Sequence, residues 1–270
     1  MAIIQANFVS KSLLRTVPIQ VVLPVDKFSM SGAPEKEQKP FKTLYLLHGL
    51  LGNYTDWVSG TRIQRWAEER DLCVVMPSGD NAFYLDIEPS HNFYGKFIGE
   101  ELVEITRKMF PLSHKREDTF IAGLSMGGFG AIRNGLKYHE TFGYIAGLSS
   151  AIHILEPGAQ HIDVAMEESS FGPLEEAARS DKNPRVLIDQ LAASGADKPK
   201  IYMACGLEDG LLGVNRTYRD LFREKGFDLT YYEGPGGHEW DFWDQEIRKV
   251  LDWLPLNDAN QGATSGSVGA

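Results

Sequence analysis

The apolar positions of this chain fall into short blocks separated by polar turns, and the period inside the blocks changes along the sequence. Residues 3–9 and 17–25 are apolar and β-branched and predict strands. Pro18 and Pro24 mark edge rather than central positions, because proline has no amide to give a ladder. Residues 43–47 are a continuous apolar run, which suits a strand buried on both faces. The runs at 72–76, 119–123, 142–148, 200–204 and 229–232 predict further strands. Between them, residues 60–70, 93–110, 126–138, 213–225 and 239–253 read as helices. Within 93–110, Ile98, Leu102, Ile105 and Met109 recur at helical spacing and give one apolar face. Strand and helix alternating in this way predict an α/β fold: a mostly parallel, twisted sheet with helices on both faces.

Residues 151–197 break the rhythm. They are rich in Ala, Glu and Ser, polar overall, and interrupted by Gly-Pro pairs or their reverse at 157–158 and 172–173. They read as a small cap insertion on the sheet's rim, inside a single domain spanning 1–255. Residues 29–40 have loop composition, and 256–270 read as a disordered tail. At 270 residues the chain can bury a sizeable core without disulfides or a structural metal. The net charge of −10 argues against nucleic acid or an anionic membrane as partner, since both call for clustered Lys and Arg. No apolar stretch is long enough to span a bilayer, and the start lacks the basic end and apolar core of a signal peptide. Cys73 and Cys205 form neither a disulfide framework nor a zinc motif, so no metal is expected. A cytoplasmic protein is the expectation, with room for a homo-oligomer.

The sharpest chemical signal is Gly123-Leu-Ser125-Met-Gly127-Gly128, which fits Gly-x-Ser-x-Gly between a predicted strand and a predicted helix. That context lifts a serine above the sheet on a strained turn and aims helix N-terminal amides at any oxyanion beside it. A serine hydroxyl needs a base. On such an elbow the acid and then the histidine follow in chain order. Of the seven histidines, His153, His161 and His238 follow Ser125 with room for an acid between, and His238 alone comes after a predicted strand. The strand at 200–204 runs into Glu208 and Asp209. Asp209 is favoured because Gly210 lets a short side chain turn back, and Glu208 remains open. Met126, the residue after the nucleophile, and Leu50, in the Gly-rich loop His48-Gly49-Leu50-Leu51-Gly52, are the candidate oxyanion donors. His48 is better placed to orient that loop than to act as base. Tyr54, Trp57, Phe83, Tyr84, Phe93, Tyr94 and Trp240 fall in predicted loops on the same rim. They serve either as a pocket for a phenolic or short acyl ester or as loop anchors. His48, Leu51, Trp57, Tyr84 and Trp240 are the pocket candidates.

These motifs resemble the α/β-hydrolase superfamily over residues 1–255. Within it the chain resembles the esterase D, tributyrin-esterase and S-formylglutathione-hydrolase group, which includes feruloyl and acetyl esterases. The resemblance is carried by residues 46–53, Val75-Met-Pro-Ser78, Lys115-Arg116, residues 119–128, Cys205-Gly-Leu-Glu-Asp209 and Gly237-His-Glu-Trp240. It implies a Ser125–His238–Asp209 triad, Leu50 and Met126 as amide donors, and cofactor-free hydrolysis of a small ester through an acyl-enzyme. It favours the tributyrin-esterase branch. The glutathione-thioester branch would show Ser-Gly-Leu-Thr-Cys where this chain has residues 48–52. S-formylglutathione hydrolysis and acyl transfer to an alcohol are the competing activities. A non-catalytic binding module is disfavoured by the complete set of triad residues in order.

Overall fold

The structure, a computed structural model, describes residues 1–27, 39–159, 161 and 163–256. The expected loop at 29–40 falls almost wholly outside these residues, and the expected tail beyond Leu256 falls wholly outside them. The strands are β1 (Ala2–Ser10), β2 (Arg15–Leu23), β3 (Lys42–Leu47), β4 (Leu72–Pro77), β5 (Asp86–Ile87), β6 (Asn92–Phe93), β7 (Thr119–Leu124), β8 (Tyr144–Leu148), β9 (Lys200–Gly206) and β10 (Leu229–Gly234). The helices are α1 (Asp56–Gly60), α2 (Ile63–Glu69), α3 (Tyr94–Lys96), α4 (Leu102–Met109), α5 (Met126–Lys137), α6 (Val164–Phe171), α7 (Leu174–Ala177), α8 (Pro184–Ser194), α9 (Leu212–Glu224) and α10 (Trp240–Trp253). The main sheet has the order β1-β2-β4-β3-β7-β8-β9-β10. β1 pairs antiparallel with β2 and β2 antiparallel with β4, and the remaining neighbours pair in parallel. β5 and β6 form a separate two-stranded pair.

The continuous apolar runs are explained by burial on both faces. Along β3, Tyr45 and Leu47 pack beneath α4, α5, α8 and α9, while Leu44 and Leu46 pack beneath α2 and α10. β4, β7, β8 and β9 divide their side chains between the same two cores. β1 instead alternates half-buried and exposed residues, as an edge strand does. The chain runs from β3 out to β4 and then returns to place β7 on the other side of β3. The loops leaving β3 and β7 therefore diverge, and a crevice opens at the strands' carboxyl ends, where α/β sheets bind ligands.

Two expectations change. β2 is not an edge strand, since it lies between β1 and β4. Pro18 is tolerated because the β2–β4 ladder begins only at Ile19, leaving its nitrogen outside that pairing. The expected regular helix over 93–110 contains a π turn at Phe97–Glu101. The turn shifts the buried face of α4 from Met109, which is exposed, to Leu102, Val103 and Thr106. It also lets the Glu101 carboxylate accept from the Ser10 hydroxyl and from the Lys11 and Ser12 amides at 2.6–3.0 Å, closing the β1–β2 turn. Residues 151–197 carry α6, α7 and α8. Although polar in composition, they turn Ile152, Ile154, Leu155, Phe171, Leu187 and Ile188 into the core. Among the described residues no helix is long and apolar enough to cross a membrane.

Candidate active site

Ser125 sits between β7 and α5 with φ 53° and ψ −117°, a left-handed backbone that costs a non-glycine residue of order 1–3 kcal/mol. Three contacts hold it there. Its amide donates to the Leu148 carbonyl at 2.9 Å, and its carbonyl accepts from Phe129 and Ala151, both at 3.0 Å. The flanking glycines are required by space. A Cβ on Gly123 would lie 2.2 Å from the Gly127 carbonyl oxygen, and one on Gly127 would lie 2.4 Å from that of Leu47. Both obstacles are backbone and cannot turn aside.

The sequence-derived acid and base converge on this serine. His238, in the loop between β10 and α10, places Nε2 2.9 Å from Ser125 Oγ and Nδ1 2.9 Å from Asp209 Oδ2. Asp209 follows β9 and is buried, and its other oxygen accepts from the Leu211 amide at 2.8 Å. Glu208 is exposed and turns instead to the Gly236 amide, at 2.7 Å. That bond ties the two loops together, as does Gly206, where a Cβ would meet the Gly236 carbonyl oxygen at 2.0 Å. Burial on its own would raise the Asp209 carboxyl. Hydrogen bonds from His238 and the Leu211 amide outweigh it and hold the group below its ordinary range. An ionised Asp209 keeps the proton on His238 Nδ1, so Nε2 is left to accept from Ser125. The arrangement can thus take the serine proton and carry it as imidazolium.

The loop after β3 supplies the facing wall. Leu50 and Met126 line the cavity, and among the described residues neither amide has a protein acceptor. Leu51, at φ 66°, donates its amide to Asn81 Oδ1, which fixes the turn. His48 is buried beneath this loop. Its Nε2 accepts from the Gly79 amide at 2.9 Å, so Nδ1 carries the proton and donates to Gly49 O at 2.7 Å. Burial holds its pKa below the ordinary value, against the Gly49 bond and the charges of Asp56 and Asp80.

A cavity of about 1080 Å³ opens onto Ser125. Leu51 and Trp240 line it, whereas three other pocket candidates do not. His48 lies under the loop. Trp57 is buried and donates from Nε1 to Leu47 O at 3.0 Å. Tyr84 is buried and donates to His48 O at 2.9 Å. All three support the backbone that frames the cavity, because each polar tip finds its partner in that backbone and not in solvent. The cavity also takes Phe83 from the rim aromatics, and Ile154, Met166 and His153 from the 151–197 segment. Met166, on α6, carries no sequence signal for the pocket, since a segment's composition does not say which side chains turn inward, whereas their place in the insertion makes His153 and His161 rim candidates, and both line the cavity.

The sheet order and these contacts place the protein in the α/β-hydrolase class. A family model described as putative esterase matches residues 10–254, and the chain belongs to that family. It is 43% identical to an acetyl esterase of Caldicellulosiruptor saccharolyticus over 261 residues, covering 94% of this chain and 98% of that one. Among solved structures it is similar to the S-formylglutathione hydrolase of Staphylococcus aureus, with 32% identity and a TM-score of 0.82, covering 94% of this chain and 98% of the other. A substrate-bound fluorophosphonate-binding serine hydrolase of the same organism gives 31% identity and the same TM-score of 0.82, covering 95% and 99%. The protein is a carboxylic ester hydrolase, a serine carboxylesterase.

Proposed function

We propose that the chain hydrolyses short-chain acyl esters, acetyl, butyryl or feruloyl, through an acyl-enzyme on Ser125. His238 takes the serine proton and later returns it to the leaving alcohol. Asp209 holds the imidazole in the required tautomer, and the Leu50 and Met126 amides receive the oxyanion. The observation that carries this reading is the chain of two 2.9 Å contacts from Asp209 through His238 to a serine held on a strained elbow. The name of the 43% identical relative supports an acetyl ester as one substrate. The segment 151–197 is read as a cap on a single 1–255 domain, supported by Ala151, Ile154 and Met166 in the cavity wall. The two buried free thiols fit a cytoplasmic setting.

Hydrolysis of S-formylglutathione is the second reading, favoured by the name of the 32% identical structure. Against it, the cavity lining holds Asp56, Glu156, Glu167 and Asp209 but, among the described residues, no Lys or Arg to meet an anionic thioester. Ser125→Ala, checked for folding by circular dichroism, tests the mechanism. Loss of a triad serine costs on the order of a million-fold in kcat. A folded variant that keeps a tenth of wild-type activity refutes it. Assaying p-nitrophenyl acetate, methyl ferulate and S-formylglutathione side by side separates the two substrate readings.

A further inference from the structure

The geometry points to Trp243 as a positioning residue that fixes the tilt of the His238 ring, at the end of a line of edge-on tryptophans running back to β3. The proposal rests on the triad reading given above. His238 leaves β10 through Gly234-Pro235-Gly236-Gly237, a loop with almost no side chain of its own, and it is exposed where it lines the cavity. Two hydrogen bonds hold its ring, from Nδ1 to Asp209 and between Nε2 and Ser125, each 2.9 Å long. They fix two points and leave the ring free to rock about the line through them. Rocking tilts the ring plane, and with it the Nε2 lone pair that must meet the serine proton. A third contact, from the side, is needed to stop it.

Trp243 supplies that contact. Its ring and that of His238 have centroids 4.9 Å apart and planes at 90°, the spacing at which perpendicular rings attract. The indole is buried, and its Nε1 donates to Ser149 Oγ at 3.1 Å, so it cannot turn away. Ser149 is in turn tied to β9, its amide donating to the Ala204 carbonyl at 2.8 Å. On the other side, Trp240 stands edge-on to Trp243 at 5.3 Å and 88°, and Trp57 stands edge-on to Trp240 at 5.5 Å and 87°. Trp240 lies flush on α1, where a Cβ on Gly60 would come within 2.7 Å of its ring. Trp57 closes the line by donating to the Leu47 carbonyl at the end of β3. In a close-packed row of this kind no ring turns without striking its neighbour. The base on its glycine loop is thereby held in register with the strand end from which the Leu50 loop departs.

Trp243→Leu keeps an apolar side chain in the core but removes the ring, and Trp243→Phe keeps a ring beside His238. In Trp243→Leu, kcat on p-nitrophenyl acetate is expected to fall roughly ten- to a hundred-fold with KM unchanged, the effect of a base misplaced by up to about 1 Å. Trp243→Phe should lose less. Proton NMR reads the ring directly. The His238 Nδ1 proton facing Asp209 should give one sharp downfield line in the wild type and in Trp243→Phe, and a broadened or missing line in Trp243→Leu. Should Trp243→Leu fail to fold, Trp243→Met fills the gap with a flexible side chain and is held to the same outcome. Four results overturn the proposal: a folded Trp243→Leu with wild-type kcat and an unchanged line, a raised KM at constant kcat, an equal loss in Trp243→Phe, or a line already broadened in the wild type. Labelling with a fluorophosphonate separates the two readings: a wild-type Ser125 that is not labelled overturns the triad reading instead.

Discussion

Asp209→Asn tests the triad at the point where the geometry makes the most specific statement. The two carboxylate oxygens are not equivalent. Oδ1 accepts from the Leu211 amide at 2.8 Å, and Oδ2 faces His238 Nδ1 at 2.9 Å. An asparagine has one oxygen, and the Leu211 N–H can be satisfied only by that oxygen. The carboxamide NH2 is then turned toward His238 and offers a donor where an acceptor stood. His238 must answer with an unprotonated Nδ1, which moves its proton to Nε2 and points it at Ser125. A base already carrying its proton there cannot take the serine's. The expected loss in kcat is on the order of 10⁴, or ~5.5 kcal/mol, the effect of the same tautomer inversion in the serine-protease triad. Glu208→Gln removes only the charge of an exposed side chain that caps Gly236, and it should cost less than about ten-fold. Both variants are to be assayed on p-nitrophenyl acetate at neutral pH, beside a thermal melt that confirms folding. A folded Asp209→Asn that keeps more than a tenth of wild-type kcat, or an equal loss from Glu208→Gln, refutes the argument.

Gly127→Ala drives a Cβ to 2.4 Å from the Leu47 carbonyl oxygen and 2.5 Å from that of His48. It should cost about 1–3 kcal/mol of stability by overpacking and reduce kcat by more than ten-fold as the elbow shifts. Chemical denaturation and turnover on one preparation read both, and an unchanged melt would show that the elbow has slack. On substrate size, each added methylene that is buried is worth ~0.8 kcal/mol, so kcat/KM should rise about four-fold per methylene from acetyl to butyryl. It should then fall for longer chains; a maximum at C12 or beyond would overturn the short-chain reading. His48 predicts a pH dependence of stability. Its imidazole is held below the ordinary value of 6.5 when folded, so the unfolded chain takes the proton first. Its contribution is complete above about pH 6.5 and is lost as pH falls toward the lower native value. His48→Gln should flatten part of that slope in melts between pH 7 and 5, and an identical slope in both proteins would refute the assignment.

The strands, the elbow and the residues that meet at Ser125 were legible because each is written in local chemistry. A strand buried on both faces must be apolar throughout, and residues 43–47, 72–76 and 119–123 are. Gly123 and Gly127 stand where any Cβ would strike backbone. What stayed hidden depends on partners distant in sequence. The π turn at Phe97–Glu101 is matched to amides some 90 residues upstream, and no window around Ile98 contains that information. For Trp57 and Tyr84 the sequence leaves pocket wall and loop anchor both open, and it points His48 toward orienting its loop while keeping it a pocket candidate. Composition places an aromatic near a cleft without saying whether its polar tip meets substrate or backbone. Here Leu47, His48 and Gly79 claim those tips.

That division of labour has a physical logic. The serine proposed to do chemistry sits on unfavourable backbone, as do several residues that frame its cavity, and other parts of the structure must hold them there. Ser125, Leu51 and Ser149 all have positive φ, and so do Phe83 and Tyr84 beside them. Each such residue costs free energy that a relaxed loop would recover by moving. The sheet prevents that movement. Ser125 is tied to Leu148 and Ser149 to Ala204, while Trp57 and Tyr84 donate to the carbonyls of Leu47 and His48. These anchors are backbone atoms at strand ends inside a close-packed core, where displacing one displaces its neighbours. The cavity over Ser125 is framed by short strained turns that the core holds in place, and only its outer wall, around His153 and Met166, belongs to the segment outside the sheet. Substitutions in that outer wall should therefore alter which ester is accepted at little cost to stability. Substitutions among the aromatic anchors should cost stability first and change selectivity only as a consequence.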